Sequence, residues 1–67
     1  MEPYRLTIHD GPHYTDKVLV SVKTIGSLDQ IKTSVIVKLK QKRRTGRFWV
    51  EVFDGPSPVT HWILEII

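Results

Sequence analysis

The sequence predicts an all-β fold, a small five-stranded barrel built on a four-strand meander. Three observations lead to this expectation. Apolar residues recur mainly at every second position, which is the period of a half-buried strand. Val, Ile, Thr and aromatic residues fill the alternating segments, and these residue types suit a pleated surface. Residues typical of turns, mainly Gly, Pro and Asp, separate the segments.

The chain has 67 residues and no cysteine, and we expect a single small β domain over residues 1–67. A domain of this size buries only about 60% of the surface that its unfolded chain exposes, so its stability margin is thin. Small domains without disulfides or metals often self-associate, and a homo-oligomer therefore stays open. The apolar runs are far shorter than the roughly 18 residues of a membrane span. We expect a soluble protein without a membrane partner, intracellular rather than secreted.

Four segments show the alternating pattern and are predicted as strands: residues 4–9, 17–25, 31–41 and 47–54. Paired as successive hairpins, they give one consistent register, with Leu39 opposite Val50, Lys40 opposite Trp49, Leu6 opposite Val20 and Ile8 opposite Val18. Because a slip of one residue would turn every side chain to the other face, this agreement supports the pairing. The predicted inner face consists of Tyr4, Leu6, Ile8, Val18, Val20, Val22, Val35, Val37, Leu39, Phe48, Val50 and Val52.

The C-terminal segment, residues 57–67, has two interpretations. As a helix it would begin with Ser57 as N-cap and Pro58 in the first turn. As a strand it would turn Thr60, Trp62, Leu64 and Ile66 inward. The β-branched residues favour the strand, as does Glu65, whose charge is unfavourable at a helix C-terminus. A fifth strand is therefore preferred, and a four-stranded antiparallel sheet with a C-terminal helix is the alternative fold.

The stretch Gly55-Pro56-Ser57-Pro58-Val59, followed by a short apolar ending, resembles the single-turn helix that leads into the last strand of SH3-like barrels. An oligonucleotide-binding barrel usually inserts a helix between its third and fourth strands, where this chain has only the tight loop 43–46. The resemblance therefore implies an SH3-like barrel.

The best indication of a partner is the segment 38–47. It contains six cationic residues and no acidic one: Lys38, Lys40, Lys42, Arg43, Arg44 and Arg47. Only four of the ten Lys and Arg lie elsewhere, together with all seven Asp and Glu, so this segment alone makes the net charge positive. In the predicted hairpin its three lysines share one face with Trp49.

This basic hairpin predicts a binding module for DNA or RNA without sequence specificity. Cations that neutralise phosphates release counterions and give affinity for any sequence. An indole beside them would stack on an unpaired base or wedge against a duplex.

Two other interpretations stay open. Lysine-rich strands protect sheet edges from aggregation, so the charges would serve solubility alone. Alternatively, the protein is a protein-interaction module or a small host-directed inhibitor that binds an acidic protein surface. Its apolar centre, within a basic rim, would then be Leu19, Ile36, Trp49 and Phe53, since aromatic residues and arginine dominate such interfaces.

Signals for catalysis or metal binding are weak. Two histidines and two aspartates surround the first long loop: His9, Asp10, His13 and Asp16. Gly11-Pro12 prevents the helix on which His-x-x-x-His would share a face. The sequence contains no phosphate-binding glycine-rich motif and no pairing of a nucleophile with a base. We therefore predict no enzymatic activity, no cofactor and no metal site.

Overall fold

A computed structural model describes residues 3–67 and shows an open antiparallel sheet of four strands with a helix on one face. The elements in chain order are β1 Tyr4–His9, β2 Val18–Thr24, α1 Leu28–Gln41, β3 Gly46–Asp54 and β4 Ser57–Ile66. Across the sheet the order is β2-β1-β3-β4. Residues 1 and 2, which the one-domain prediction included, lie outside the described residues.

Three of the four predicted meander strands are confirmed as β1, β2 and β3, and β4 confirms the strand interpretation of the C-terminal segment. Asp54 pairs with Ser57, so Gly55 and Pro56 form a two-residue turn between β3 and β4. Gly55 has a φ of 62°. A glycine at the first position of a tight hairpin turn adopts this conformation without steric cost.

The prediction of a strand over residues 31–41 is wrong, because this segment lies in helix α1. Ser27 caps the helix: its hydroxyl accepts a hydrogen bond from the backbone N–H of Gln30 at 3.2 Å. The Gln30 side chain accepts one from the Ser27 N–H at 2.9 Å, which completes a capping box. Ile31, Val35 and Leu39 are buried at spacings of four residues, so they form one apolar stripe along the helix.

The core lies between α1 and one face of the sheet. The buried residues on the sheet side are Leu6, Ile8, Phe48, Val50, Val52, Leu64 and Ile66. The inward residues expected for a C-terminal strand are confirmed, since Leu64 and Ile66 are buried and Trp62 packs against the core. The opposite face of the sheet, here called the open face, carries no helix in residues 3–67.

The prediction of a five-stranded barrel is wrong, because the four strands form an open sheet. An apolar sheet face must be covered, and α1 covers it here without closure of the sheet. Strands β2 and β4 therefore remain edges. A sheet with one helix is closer to the alternative prediction, although the helix connects β2 to β3 and the C-terminal segment is a strand.

Two details of the predicted register change. β3 pairs with β1 and β4, because the segment expected beside it forms α1. In the first hairpin Leu6 pairs with Val22 and Ile8 with Val20, a shift of two residues that keeps these four side chains on their predicted face. Leu19 is the extra residue at a bulge near the end of this pairing. Three members of the predicted inner face are exposed: Val18, Val22 and Val37.

Candidate nucleic-acid interface

The six cations of segment 38–47 lie at the C-terminal end of α1 and in the loop that leads into β3. We call this set the basic corner: Lys38, Lys40, Lys42, Arg43, Arg44 and Arg47. All six side chains are exposed. The structure thus keeps these charges in one region, although they do not form the flat ribbon that the sequence predicted.

The three lysines point in different directions because they belong to a helix. Lys38 and Lys42 are four residues apart, so they lie on one flank, about 6 Å apart along the axis. Both line a cavity between α1 and β2. Lys40 is rotated by about 200° from Lys38 and lies on the other flank. The prediction that the lysines form a row along one face of a strand is therefore wrong.

The loop after α1 is fixed by backbone hydrogen bonds. The Arg43 N–H donates to the carbonyl oxygen of Lys40, and the Arg44 N–H donates to that of Leu39, both at 3.0 Å. With Lys42 as C-cap, this pair of bonds is a Schellman motif. Arg43 takes its left-handed position with a φ of 56°. Two adjacent arginines are thus held in a defined geometry at the end of the helix.

Trp49 lies on the open face of the sheet, on the side away from α1. Its neighbours in β3, Phe48 and Val50, face the core, so alternation turns the indole outward. The expected pairing of Lys40 with Trp49 on one surface is wrong because the sheet separates α1 from the open face. Of the basic corner, only Arg47 shares the face of Trp49.

The Trp49 ring already has protein neighbours on the open face. Its centroid lies 4.3 Å from that of His61, with an interplanar angle of 11°, and 6.2 Å from that of Tyr14. The indole Nε1–H donates to the Glu51 carboxylate. These contacts fix the indole and reduce the ring surface that a nucleic-acid base would stack on.

The apolar residues predicted to bind an acidic protein are divided between the two faces of the sheet. Leu19 and Ile36 pack against the core on the helix side. Trp49 and Phe53 lie on the open face, where both are half-buried. These four residues therefore do not form one surface.

The loop between β1 and β2 uses its polar groups internally. His9 is buried, and its Nδ1 lies 2.9 Å from the backbone oxygen of Asp16. The Asp16 carboxylate accepts a hydrogen bond from the backbone N–H of His13 at 2.9 Å. In residues 3–67 no three His, Cys, Asp or Glu side chains are grouped to hold a metal ion.

A second candidate surface, which the sequence did not indicate, is the groove between β2 and α1. Two adjoining cavities of about 310 and 60 Å³ lie along it. The alternation in β2 predicted a half-buried strand, but whether a strand lies at a sheet edge depends on the strand order.

The chain matches no protein-family model, and comparisons with curated proteins and with solved structures found no match either. Within residues 3–67, no helix combines the length and the apolar character needed to cross a membrane.

Proposed function

We propose that this protein is a non-catalytic module that binds nucleic acid without sequence specificity, and that the basic corner contacts the phosphates. The observation that carries the proposal is the conformation of Arg43 within a cluster of six exposed cations. The two features support it in different ways.

The cluster supplies the electrostatic term. Six exposed cations within ten residues, without an acidic residue among them, create a local positive potential. Binding that neutralises phosphates releases condensed counterions, so affinity falls steeply as salt rises. Lys38 and Lys42 on one flank, Lys40 on the other and the two loop arginines surround the helix end, a shape that suits contact with a curved phosphate backbone.

The backbone conformation of Arg43 is hard to explain if the cations serve only to keep the protein soluble. The left-handed position after a helix strongly favours glycine, because other residues incur a steric cost of about 1–2 kcal/mol there. A lysine or arginine at any ordinary surface position would improve solubility without that cost. An arginine in a strained backbone conformation is therefore more consistent with a role for this guanidinium in binding.

Trp49 takes no part in the proposed interface. It lies on the other side of the sheet from the lysines, and His61 and Tyr14 are packed near its ring. The proposal therefore replaces base stacking with phosphate contacts alone. We expect comparable affinity for different sequences at equal length and strand number.

The test measures binding of fluorescently labelled oligonucleotides of mixed sequence, single- and double-stranded, by anisotropy at several salt concentrations. Changing Arg43 and Arg44 to Ala should weaken binding for every sequence and make the slope of log K against log salt shallower by about 1–2. The matched control changes Arg5 and Lys23 to Ala. These residues pair across β1 and β2 near the other end of the sheet, so the control loses the same charge elsewhere.

The control protein should bind more tightly than the corner variant at every salt concentration. Equal weakening of the two variants would show that net charge alone drives association, and the basic corner would then lose its proposed role. Salt-independent binding would exclude phosphate contact as the main source of affinity.

Protein binding is the second candidate function. The observation that favours it is the groove between β2 and α1, which combines apolar walls with cationic residues. This groove replaces the divided apolar patch as the place where an acidic protein would bind.

A further inference from the structure

Strand β2 is an exposed edge of the sheet and contains no proline. It pairs with β1 on one side and, among the described residues, with no strand on the other. Each of its residues is half-buried or exposed, including Val22, whose side chain is 40% exposed. Free N–H and C=O groups along such an edge are a template for another strand.

The other edge strand, β4, is better protected. It contains Pro58, which has no N–H to donate, whereas β2 contains no proline; a bulge is present in both edge strands. Proline is a usual protection of an edge. The difference between the two edges singles out β2 as the side open to a partner strand.

The floor of the groove beside β2 is apolar. Ile8 and Val20 form part of its floor, and Val35 lies on the helix side. Helix α1 lies close to β4 on its other flank, where the Lys32 ammonium is 5.9 Å from the centre of the Trp62 ring. The sheet side of the groove towards β2 is thus left partly uncovered, with Val22 exposed.

The charge of the groove has one sign. The ionisable residues that line its two cavities are all cationic: Lys23, Lys38, Lys42 and Arg44. Three of them lie towards the C-terminal end of α1, beside Leu19 at the beginning of β2. Carboxylates are therefore the complementary groups at this end of the groove.

We propose that an extended segment of a partner protein adds to β2 as a further strand, with apolar side chains in the groove and acidic side chains beside Lys38, Lys42 and Arg44. Strand addition draws affinity from backbone hydrogen bonds and specificity from pockets for alternate side chains. The inference goes beyond nucleic-acid binding and does not depend on it, because the apolar floor and the free strand edge contribute nothing to phosphate contact.

A second copy of this chain fits the groove less well. Pairing two β2 strands antiparallel about a two-fold axis would place both helices on the same face of the combined sheet. The beginning of each β2, where Lys42 and Arg44 lie beside Leu19, would then lie near the end of the other β2, which carries Lys23. Like charges in this arrangement oppose association, whereas an acidic segment is attracted by it.

The test is a selection from a library of random peptides long enough to span β2, with the full chain as target. The expected result is enrichment of peptides that alternate apolar residues and carry Asp or Glu near one end. One enriched peptide is then synthesised, its dissociation constant is measured by anisotropy, and backbone amide hydrogen exchange locates its binding site. Alternate amides of β2 should become protected.

Two matched variants separate the groove from the rest of the surface. Val22→Glu places a negative charge at the edge of the groove and should weaken the peptide about tenfold or more. Val59→Glu makes the same change on β4, where the valine is 42% exposed, and should leave peptide affinity unchanged. Since neither valine belongs to the buried core, both variants should fold, which circular dichroism checks.

A variant with Arg43 and Arg47 changed to Ala distinguishes this inference from the proposed function. It should lose nucleic-acid affinity and keep peptide affinity, because neither arginine lines the cavities. The strand-addition proposal is overturned by any of three results: no enrichment of acidic alternating peptides, equal effects of the two glutamate variants, or a dimer in solution that protects the β2 amides without peptide.

Discussion

The indole of Trp49 and the imidazole of His61 lie stacked on the open face of the sheet, with centroids 4.3 Å apart and planes inclined by only 11°. Strands β3 and β4 hold the two rings in this position, since Trp49 pairs with Ile63 and Glu51 pairs with His61. The stack covers apolar surface on a face that has no helix among the described residues. It partly buries a tryptophan that lies outside the core.

Changing His61 to Ala should lower the free energy of unfolding by about 1 kcal/mol, because aromatic pairs contribute about 0.5–1.5 kcal/mol beyond area burial. Chemical denaturation measures the loss. His13→Ala is the control, since His13 is exposed and its hydrogen bond to Asp16 comes from the backbone. Equal losses in the two variants would contradict a stabilising stack.

Changing Ser27 to Ala should destabilise the protein by about 1 kcal/mol, because the capping box loses the hydroxyl that accepts the Gln30 N–H. The same substitution at Ser34, an exposed residue inside α1, should be neutral or slightly stabilising. Thermal unfolding followed by circular dichroism compares the two. If residues 31–41 were a strand, Ser27→Ala would have no such specific effect.

The valines at 35 and 37 test the orientation of α1. Val35 is 2% exposed and Val37 is 47% exposed, although the sequence placed both on the inner face. Val35→Ala should cost about 2 kcal/mol, since it removes two buried methyl groups and leaves a cavity. Val37→Ala should change stability by less than about 0.5 kcal/mol. Similar large losses at both positions, measured by denaturation, would favour the strand.

Replacing Arg43 with Gly should stabilise the protein by about 1 kcal/mol, because glycine adopts the left-handed conformation at the end of α1 without strain. Arg44→Gly loses the same charge and should not stabilise. Each variant should weaken oligonucleotide binding to a similar degree, since each removes one cation. Stability and affinity would thus change in opposite directions only for Arg43→Gly. A destabilised Arg43→Gly would argue against strain at this position.

The strands were largely predictable because their signal is local. In β1 the alternation of Leu6 and Ile8 with polar residues specifies one buried face whatever the strand pairs with. The same holds for β4, whose inward residues were predicted correctly. Turn residues such as Gly55 marked the ends of strands through their own backbone preferences.

Helix α1 was missed because its sequence fits two periods. Val35, Val37 and Leu39 alternate as in a strand, while Ile31, Val35 and Leu39 recur as in a helix. The abundance of β-branched residues favoured the strand. One local signal in favour of the helix was Ser27 with Gln30 three residues later, which is the sequence of a capping box.

The sequence by itself determined the position of four strands, the faces that β1, β3 and β4 bury and the concentration of positive charge in one short segment. Tertiary structure alone decided that residues 31–41 coil into a helix, because the apolar face of the sheet needed a cover and this segment had an apolar stripe on either interpretation. That choice separated Trp49 from the lysines and left β2 as an exposed edge. Local periodicity specifies which side chains are buried, but the packing of whole elements specifies which exposed residues become neighbours.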